Sequence, residues 1–243
     1  MTLFFNKNEI MKLFPAHSRG SADYGWLNSH FSFSFAGYYN PTRLGFGDLR
    51  VVNDDLVAPG QGFDTHPHKN MEIISIPLAG ELEHRDSQDN HQRIGVGEIQ
   101  VMSAGTGIQH SEYNASNSER VAFLQIWIQT NRPDTAPRYD QTSIPTTEIL
   151  NQFFKVVGSP DDNAPLFIYQ NASIYLAKVD TDQKLNLPEL KEGRGFFLFV
   201  IEGTAQIDAF TLSARDALEV TTPGLFSVEL SKNSYVLLIE VAL

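Results

Sequence analysis

Two short steps, His66-Pro-His68 and His110-Ser-Glu112, place potential metal ligands two residues apart inside stretches that otherwise read as strand and turn. Side chains alternate between the faces of a strand, so His66 and His68 point the same way, ~6.6 Å apart along the chain. His110 and Glu112 obey the same parity. Two such pairs on neighbouring strands of a barrel can aim three imidazoles and one carboxylate at a common point.

The surrounding sequence has the strand rhythm that this requires. Residues 49–60 read as a strand, an Asn53-Asp-Asp55 turn and a second short strand ending at Pro59-Gly60. Extended runs follow over 66–78, 81–86, 97–102 and 121–128, separated by the Ala79-Gly80 turn, the polar tip 86–90 and the glycine bend 104–107. Upstream, Phe31, Phe33 and Phe35 alternate with serine, which predicts a further strand. His30 beside it, like His17, reads as a structural histidine under an aromatic layer. His84 reads as lying on a solvated strand face and His91 as exposed at a hairpin tip. Short strands at regular spacing with glycine turns predict an all-β barrel or sandwich.

Residues 131–137 break the pattern with Pro133 and Pro137 and are the best linker. The predicted division is 1–135, carrying the metal site, and 136–243, without ligands. Residues 146–154 fit a short helix or a strand equally well. The segment Ile76-Pro-Leu-Ala-Gly80-Glu is echoed by Val200-Ile-Glu-Gly203-Thr, so two similar β units in tandem are the natural reading. All seven histidines fall at or before position 110, which leaves only the first unit able to build a histidine site.

Composition removes several function classes. A net charge of −11 argues against a nucleic-acid binder, which needs a basic face for phosphates. With no cysteine, disulfides, thiolate metal sites and cysteine nucleophiles are excluded together. The start of the chain, Met1 to Glu9, lacks the apolar run of a signal peptide, and no window approaches the ~18 consecutive apolar residues of a membrane span. The Asn-x-Ser triplets at Asn114 and Asn171 then read as chance matches, and the expected location is the cytoplasm.

The spacing from Gly60 through His66, His68 and Glu72 to Gly80 resembles the first motif of the cupin superfamily. Gly97, Gly105, His110 and Asn114 resemble the second, stretched by two residues and with Ser103 where a proline is usual. More closely, Phe33-Ser-Phe-Ala-Gly-Tyr-Tyr39, Gly60-Gln-Gly-Phe63, His66-Pro-His-Lys-Asn-Met-Glu-Ile73 and Gly105-Thr-Gly-Ile-Gln-His-Ser-Glu-Tyr-Asn114 resemble the pirin family, which is built of two tandem cupin, jelly-roll-like barrels. This bicupin resemblance covers most of residues 20–130. It implies a metal, usually iron, held by His66, His68, His110 and Glu112. Three imidazoles and a carboxylate suit Fe(II) as well as Ni, Mn, Co, Cu or Zn, with positions left open for O2 or a chelating substrate. Glu72 competes for the carboxylate role, because many cupins use the glutamate of their first motif. Its distance from His68 along an extended strand, ~13 Å, favours Glu112.

The implied activity is flavonol 2,3-dioxygenation, the quercetinase reaction, on a small aromatic, enolisable or phenolic substrate. Glu112 would be both ligand and acceptor of the substrate's hydroxyl proton. Phe63, Met102 and Trp127 are candidates to line an apolar pocket, and Lys69 and Arg120 to meet an anionic ligand. Two other classes stay open: a metal- or redox-sensing regulator that acts by binding a protein partner, and a non-redox cupin isomerase or hydrolase. Activity that persists without oxygen would select the last of these.

Overall fold

The computed structural model describes residues 11–243, so the reading of Met1 to Glu9 falls outside the described residues. Twenty-two strands account for nearly all its regular structure. β1 (Met11–Phe14) precedes β2 (Gly20–Asp23), β3 (Leu27–Phe31), β4 (Leu49–Val57), β5 (Gly62–His68), β6 (Met71–Ala79), β7 (Glu81–Asp86), β8 (His91–Gly95), β9 (Glu98–Ser103), β10 (Ile108–Asn114), β11 (Val121–Gln129) and β12 (Arg138–Ser143). The rest are β13 (Phe154–Gly158), β14 (Leu166–Phe167), β15 (Ser173–Lys178), β16 (Gln183–Asn186), β17 (Arg194–Glu202), β18 (Thr204–Ile207), β19 (Phe210–Ser213), β20 (Ala217–Val220), β21 (Ser227–Leu230) and β22 (Tyr235–Ala242).

Two compact units form, one from residues 20–144 with 158–171, the other from 11–19, 145–157 and 172–243. Residues 11–19, 136–144 and 158–171 therefore fall on the other side of the boundary expected at 135/136. The first unit has a seven-stranded sheet, ordered β12-β9-β6-β11-β4-β3-β2, and a four-stranded sheet, ordered β5-β10-β7-β8. In the second unit a sheet runs β1-β20-β17-β22-β15-β13 and a four-stranded sheet runs β16-β21-β18-β19. The repeat is thus one of topology: β9-β6-β11-β4 corresponds to β20-β17-β22-β15, and the small sheets correspond strand for strand. The echo at Gly80 and Gly203 has a backbone cause. Both take left-handed φ, +71° and +80°, where β6 turns into β7 and β17 into β18. A Cβ there would meet the Arg120 carbonyl oxygen at 2.7 Å or the Ser234 Cα at 2.7 Å, so only glycine allows the close approach.

The two interiors differ. The second is filled by side chains, with Phe196, Leu198, Val200, Leu218, Val236 and Leu238 all buried in one apolar cluster. The first is packed apolar only in parts: Leu27, Val57, Leu82, Ile94, Val121 and Phe123 form one cluster, and Ile73, Met102, Ala104 and Ile108 another. Between these parts it carries polar side chains.

Three local expectations change. Asn53 and Asp55 do not form a turn; β4 runs unbroken through them, with both side chains buried. The phenylalanine-serine alternation is strand only as far as Phe31, after which Ala36 at φ +50° bends the chain back and Phe35 bridges Tyr38. His17 is exposed in a short 3-10 turn. The ambiguous stretch holds both alternatives, a helical turn at Thr146–Ile149 and then β13.

Candidate metal centre and substrate cavity

His66 and His68 come from the end of β5, and His110 and Glu112 from β10 beside it. The strands pair antiparallel with His110 opposite His66, but Glu112 stands opposite Phe63. Three residues of β5 therefore oppose two of β10, a bulge that re-aims the β5 side chains. In consequence Phe63 and His66, an odd number of residues apart, both reach the interior. Ligand atoms of His66, His68 and His110 lie within 4.8 Å of one another. Their ring centroids are 4.5 Å apart for His66 and His110, and 4.8 Å for each of the other two pairs.

Three imidazoles this close cannot all be charged. Burial, then the nearby His66, His68 and His84, press the His110 ring down to about 2. Burial and His66 press His68 down to about 4. Neutral imidazole is the form that binds metal. The nitrogens are also oriented for it: His66 Nδ1 lies 2.7 Å from the Asp64 carbonyl oxygen, which leaves Nε2 free. The Nε2 of His110 is buried and has no hydrogen-bond partner. A buried nitrogen left without a partner beside two more imidazole nitrogens is what a metal would satisfy. The donor set fits a divalent transition metal.

Glu112 is fully buried on the same face of β10. Its Oε1 accepts from Ser75 Oγ at 3.1 Å and its Oε2 from Gln125 Nε2 at 2.7 Å. It does not fall in the group of His66, His68 and His110, but joins His84 and His110 in a second group whose ligand atoms lie within 4.8 Å of one another. Burial raises its carboxyl to about 7, against the bond from Ser75 and helped by the charge of Asp55. Glu72 lies elsewhere. Asn70, at φ +52°, turns the chain between β5 and β6 and resets the side-chain parity. Glu72 then faces away from Ser75, the neighbour of Glu112, and accepts from Ser103 Oγ at 2.6 Å. Ser103, the departure from the cupin pattern, is thus the partner of a buried acid.

A cavity of about 330 Å³ opens beside this group. Trp26, Phe31, Phe35, Phe63 and Trp127 give it aromatic walls, and Ser29, Asn53, Asp55 and Gln125 a polar side, with His66 and Glu112 also lining it. Phe63 and Trp127 take their expected place, and Met102 is buried in the apolar cluster against which Trp127 packs. Asn53 Oδ1 is buried without a partner, and Ser29 donates to Asp55. Lys69 is exposed and pairs with Asp134 at 3.4 Å, while Arg120 is exposed.

His84 overturns its sequence reading. It is fully buried, with Nδ1 3.4 Å from His110 Nδ1 and Nε2 3.0 Å from Asp86 Oδ2. The available signal was parity: in Glu81-Leu-Glu-His-Arg-Asp86 the inward Leu82 shares its face with His84 and Asp86. His91, in contrast, is exposed and lies 3.4 Å from Glu83.

Gly62 ties strand pairing to the site. A Cβ at Gly62 would lie 2.3 Å from the Glu112 carbonyl oxygen and 2.5 Å from Tyr113 Cα, both backbone atoms that cannot swing aside. Gly62→Ala is expected to lower stability by about 1–3 kcal/mol and to weaken metal binding with it, because β10 must move away from β5. Thermal unfolding and metal titration of the variant check both; an unchanged melting temperature would contradict the strand contact.

Comparison with known proteins agrees with this geometry. The model of the Pirin family matches residues 13–128, and that of the quercetinase C-terminal cupin domain matches 156–241. A protein of Escherichia coli K12 named quercetin 2,3-dioxygenase is 39% identical over 233 residues, 96% of this chain and 99% of its own. A pirin-like protein of Caulobacter vibrioides is 33% identical, over 94% of this chain and 98% of its own. Among solved structures, the bacterial pirin YhhW of E. coli in complex with nickel(II) superposes with a TM-score of 0.89 at 37% identity, covering 96% of this chain and 99% of that one. With relatives aligned over nearly its whole length and the two-unit β architecture on which they align, the chain belongs to the pirin family of bicupins.

Proposed function

We propose that the protein is a metal-dependent dioxygenase that opens the central heterocycle of a flavonol with O2 and releases carbon monoxide. The observation that carries this reading is the junction of the three-histidine group with an aromatic-walled cavity. The E. coli relative named quercetin 2,3-dioxygenase supports it. In this reading His66, His68, His110 and Glu112 hold one divalent metal, Fe(II) or a neighbour in its series. Once bound, the metal supplies Lewis acidity toward a substrate hydroxyl oxygen and open positions for a second ligand.

The chain's own residues do the rest. Trp127, Phe35 and Phe63 hold a planar ring and exclude water from it. The unpartnered Asn53 oxygen accepts a hydroxyl of the substrate, a match that a deoxygenated analogue would lose. Glu112, whose carboxyl sits near neutrality, takes the proton of the reacting hydroxyl. Fe(II)-loaded protein given a flavonol is expected to consume O2 in step with flavonol loss, while chelator-stripped protein consumes none. Metal-loaded protein that turns over no flavonol above the stripped background would defeat the proposal.

A further inference from the structure

The buried pair His84 and Asp86 stands outside the proposed ligand set, yet His84 touches one of its members. β7 places both beside β10, with Asp86 opposite His110 and His84 opposite Glu112. Neither side chain of the pair is exposed.

The proton positions follow link by link. Asp86 Oδ1 accepts from the backbone N–H groups of Gln88 at 2.9 Å and Asn90 at 3.1 Å, and from Asn90 Nδ2 at 3.1 Å. Its Oδ2 accepts from Asn90 Nδ2 at 2.9 Å and faces His84 Nε2 at 3.0 Å. A carboxylate tied by this many donors has only acceptors to offer, so His84 must carry its proton on Nε2. His84 Nδ1 is then a lone pair. Gln100 Nε2, 3.4 Å away, donates to it. His110 Nδ1 faces the same lone pair at 3.4 Å, a contact that is attractive when that nitrogen carries the proton and shares the lone pair with Gln100. A neutral imidazole protonated on Nδ1 leaves its Nε2 bare, and His110 Nε2 is the nitrogen without a partner. Tyr139 packs over the His84 ring with centroids 4.6 Å apart and helps to fix its plane.

We infer that Asp86 and His84 are positioning residues that set the tautomer of His110, so that Nε2 is presented to a metal before any metal arrives. This rests on the metal site proposed above for its purpose, though not for its protons. An Asp86→Asn variant reverses the relay. The amide keeps its oxygen toward the Gln88 and Asn90 donors and turns its NH2 toward His84, which then moves its proton to Nδ1. His110 answers by moving its own to Nε2, the nitrogen that a metal needs.

The test reads histidine tautomers by two-bond 1H–15N correlation in metal-free protein, and nickel(II) affinity by chelator competition. Wild type should show His110 protonated on Nδ1 and His84 on Nε2. Asp86→Asn should exchange both assignments and weaken nickel(II) binding by roughly 10–100-fold. His84→Phe keeps a ring beneath Tyr139 while deleting both nitrogens. It should leave His110 a mixture of tautomers, and it serves if Asp86→Asn fails to fold. Wild-type His110 protonated on Nε2 would overturn the relay, as would an Asp86→Asn protein with unaltered tautomers or unaltered nickel affinity. Wild type that shows the expected tautomers but takes up no nickel would sink the metal reading and leave the relay supported.

Discussion

His110→Ala is expected to lose bound metal while the fold survives. The substitution removes the one ring that belongs to both ligand groups on the first unit's interior face. Groups that merely support a ligand are worth about 10–100-fold in metal affinity, so losing the ligand itself should cost more than about 100-fold. Stability should change little by comparison. The deleted ring has an unsatisfied Nε2, and its neighbour His84 retains Asp86 and Gln100 as partners. His91→Ala is the control, because His91 is exposed on the first unit's four-stranded sheet, where it lies 3.4 Å from Glu83. Elemental analysis after dialysis, run beside thermal unfolding, separates the cases. Equal metal loss in both variants would refute the ligand assignment, and a collapsed melting temperature in His110→Ala would show the ring to be structural instead.

The second large effect concerns Asp55 and runs through pH. Burial raises its carboxyl from 3.8 to about 7, with the Ser29 bond opposing and Asp54 adding to the rise. The folded protein therefore holds a proton that the unfolded chain has already released. Its contribution is fully present below about pH 4 and is lost as pH rises toward 7. At about 1.4 kcal/mol per pH unit, the accumulated penalty is of order 4 kcal/mol. An amide at this position cannot ionise and can still accept from Ser29. Asp55→Asn should thus gain stability relative to wild type as pH climbs through that window. The comparison must be a difference, because His68 and His110, both pressed down, push stability the opposite way with pH in each protein. Urea midpoints of the metal-free proteins at pH 4.5 and 7.5 measure it. A difference that does not move with pH would mean that Asp55 is ionised and solvated in the fold.

Much of the centre was legible because strand parity is a strict rule. Alternation on two adjacent strands was enough to single out His66, His68 and His110, which the structure brings together, while a bulge between the strands aims the β5 side chains and Glu112 groups with His84 and His110. The tandem repeat was legible for a related reason: left-handed glycines at equivalent turns leave a mark in the sequence. What escaped notice was polar and buried. Asn53 and Asp55 carry turn chemistry in their names, and local propensity cannot tell that a strand passes through them to line a cavity. His84 looked solvated because charged Glu83 and Arg85 flank it, although they occupy the other face. Glu72 was set aside correctly, but on its distance along one continuous strand, whereas the turn at Asn70 is what carries it away. For the others the missing information was which face of a strand has a cavity behind it, a fact of tertiary packing.

The hairpin tip from Asp86 to Asn90 has a practical meaning for handling this protein. Exposed polar tips between strands are where affinity tags, cross-linkers and reporter domains are ordinarily inserted, since such loops tolerate added chain. Here the tip is one end of a run of hydrogen bonds that reaches His110, and its backbone amides hold the Asp86 carboxylate. A label placed there would act on the chemistry of the interior from the outside, whereas the tip between β18 and β19, at Asp208 and Ala209 on a small sheet that carries no histidine, offers a silent attachment point.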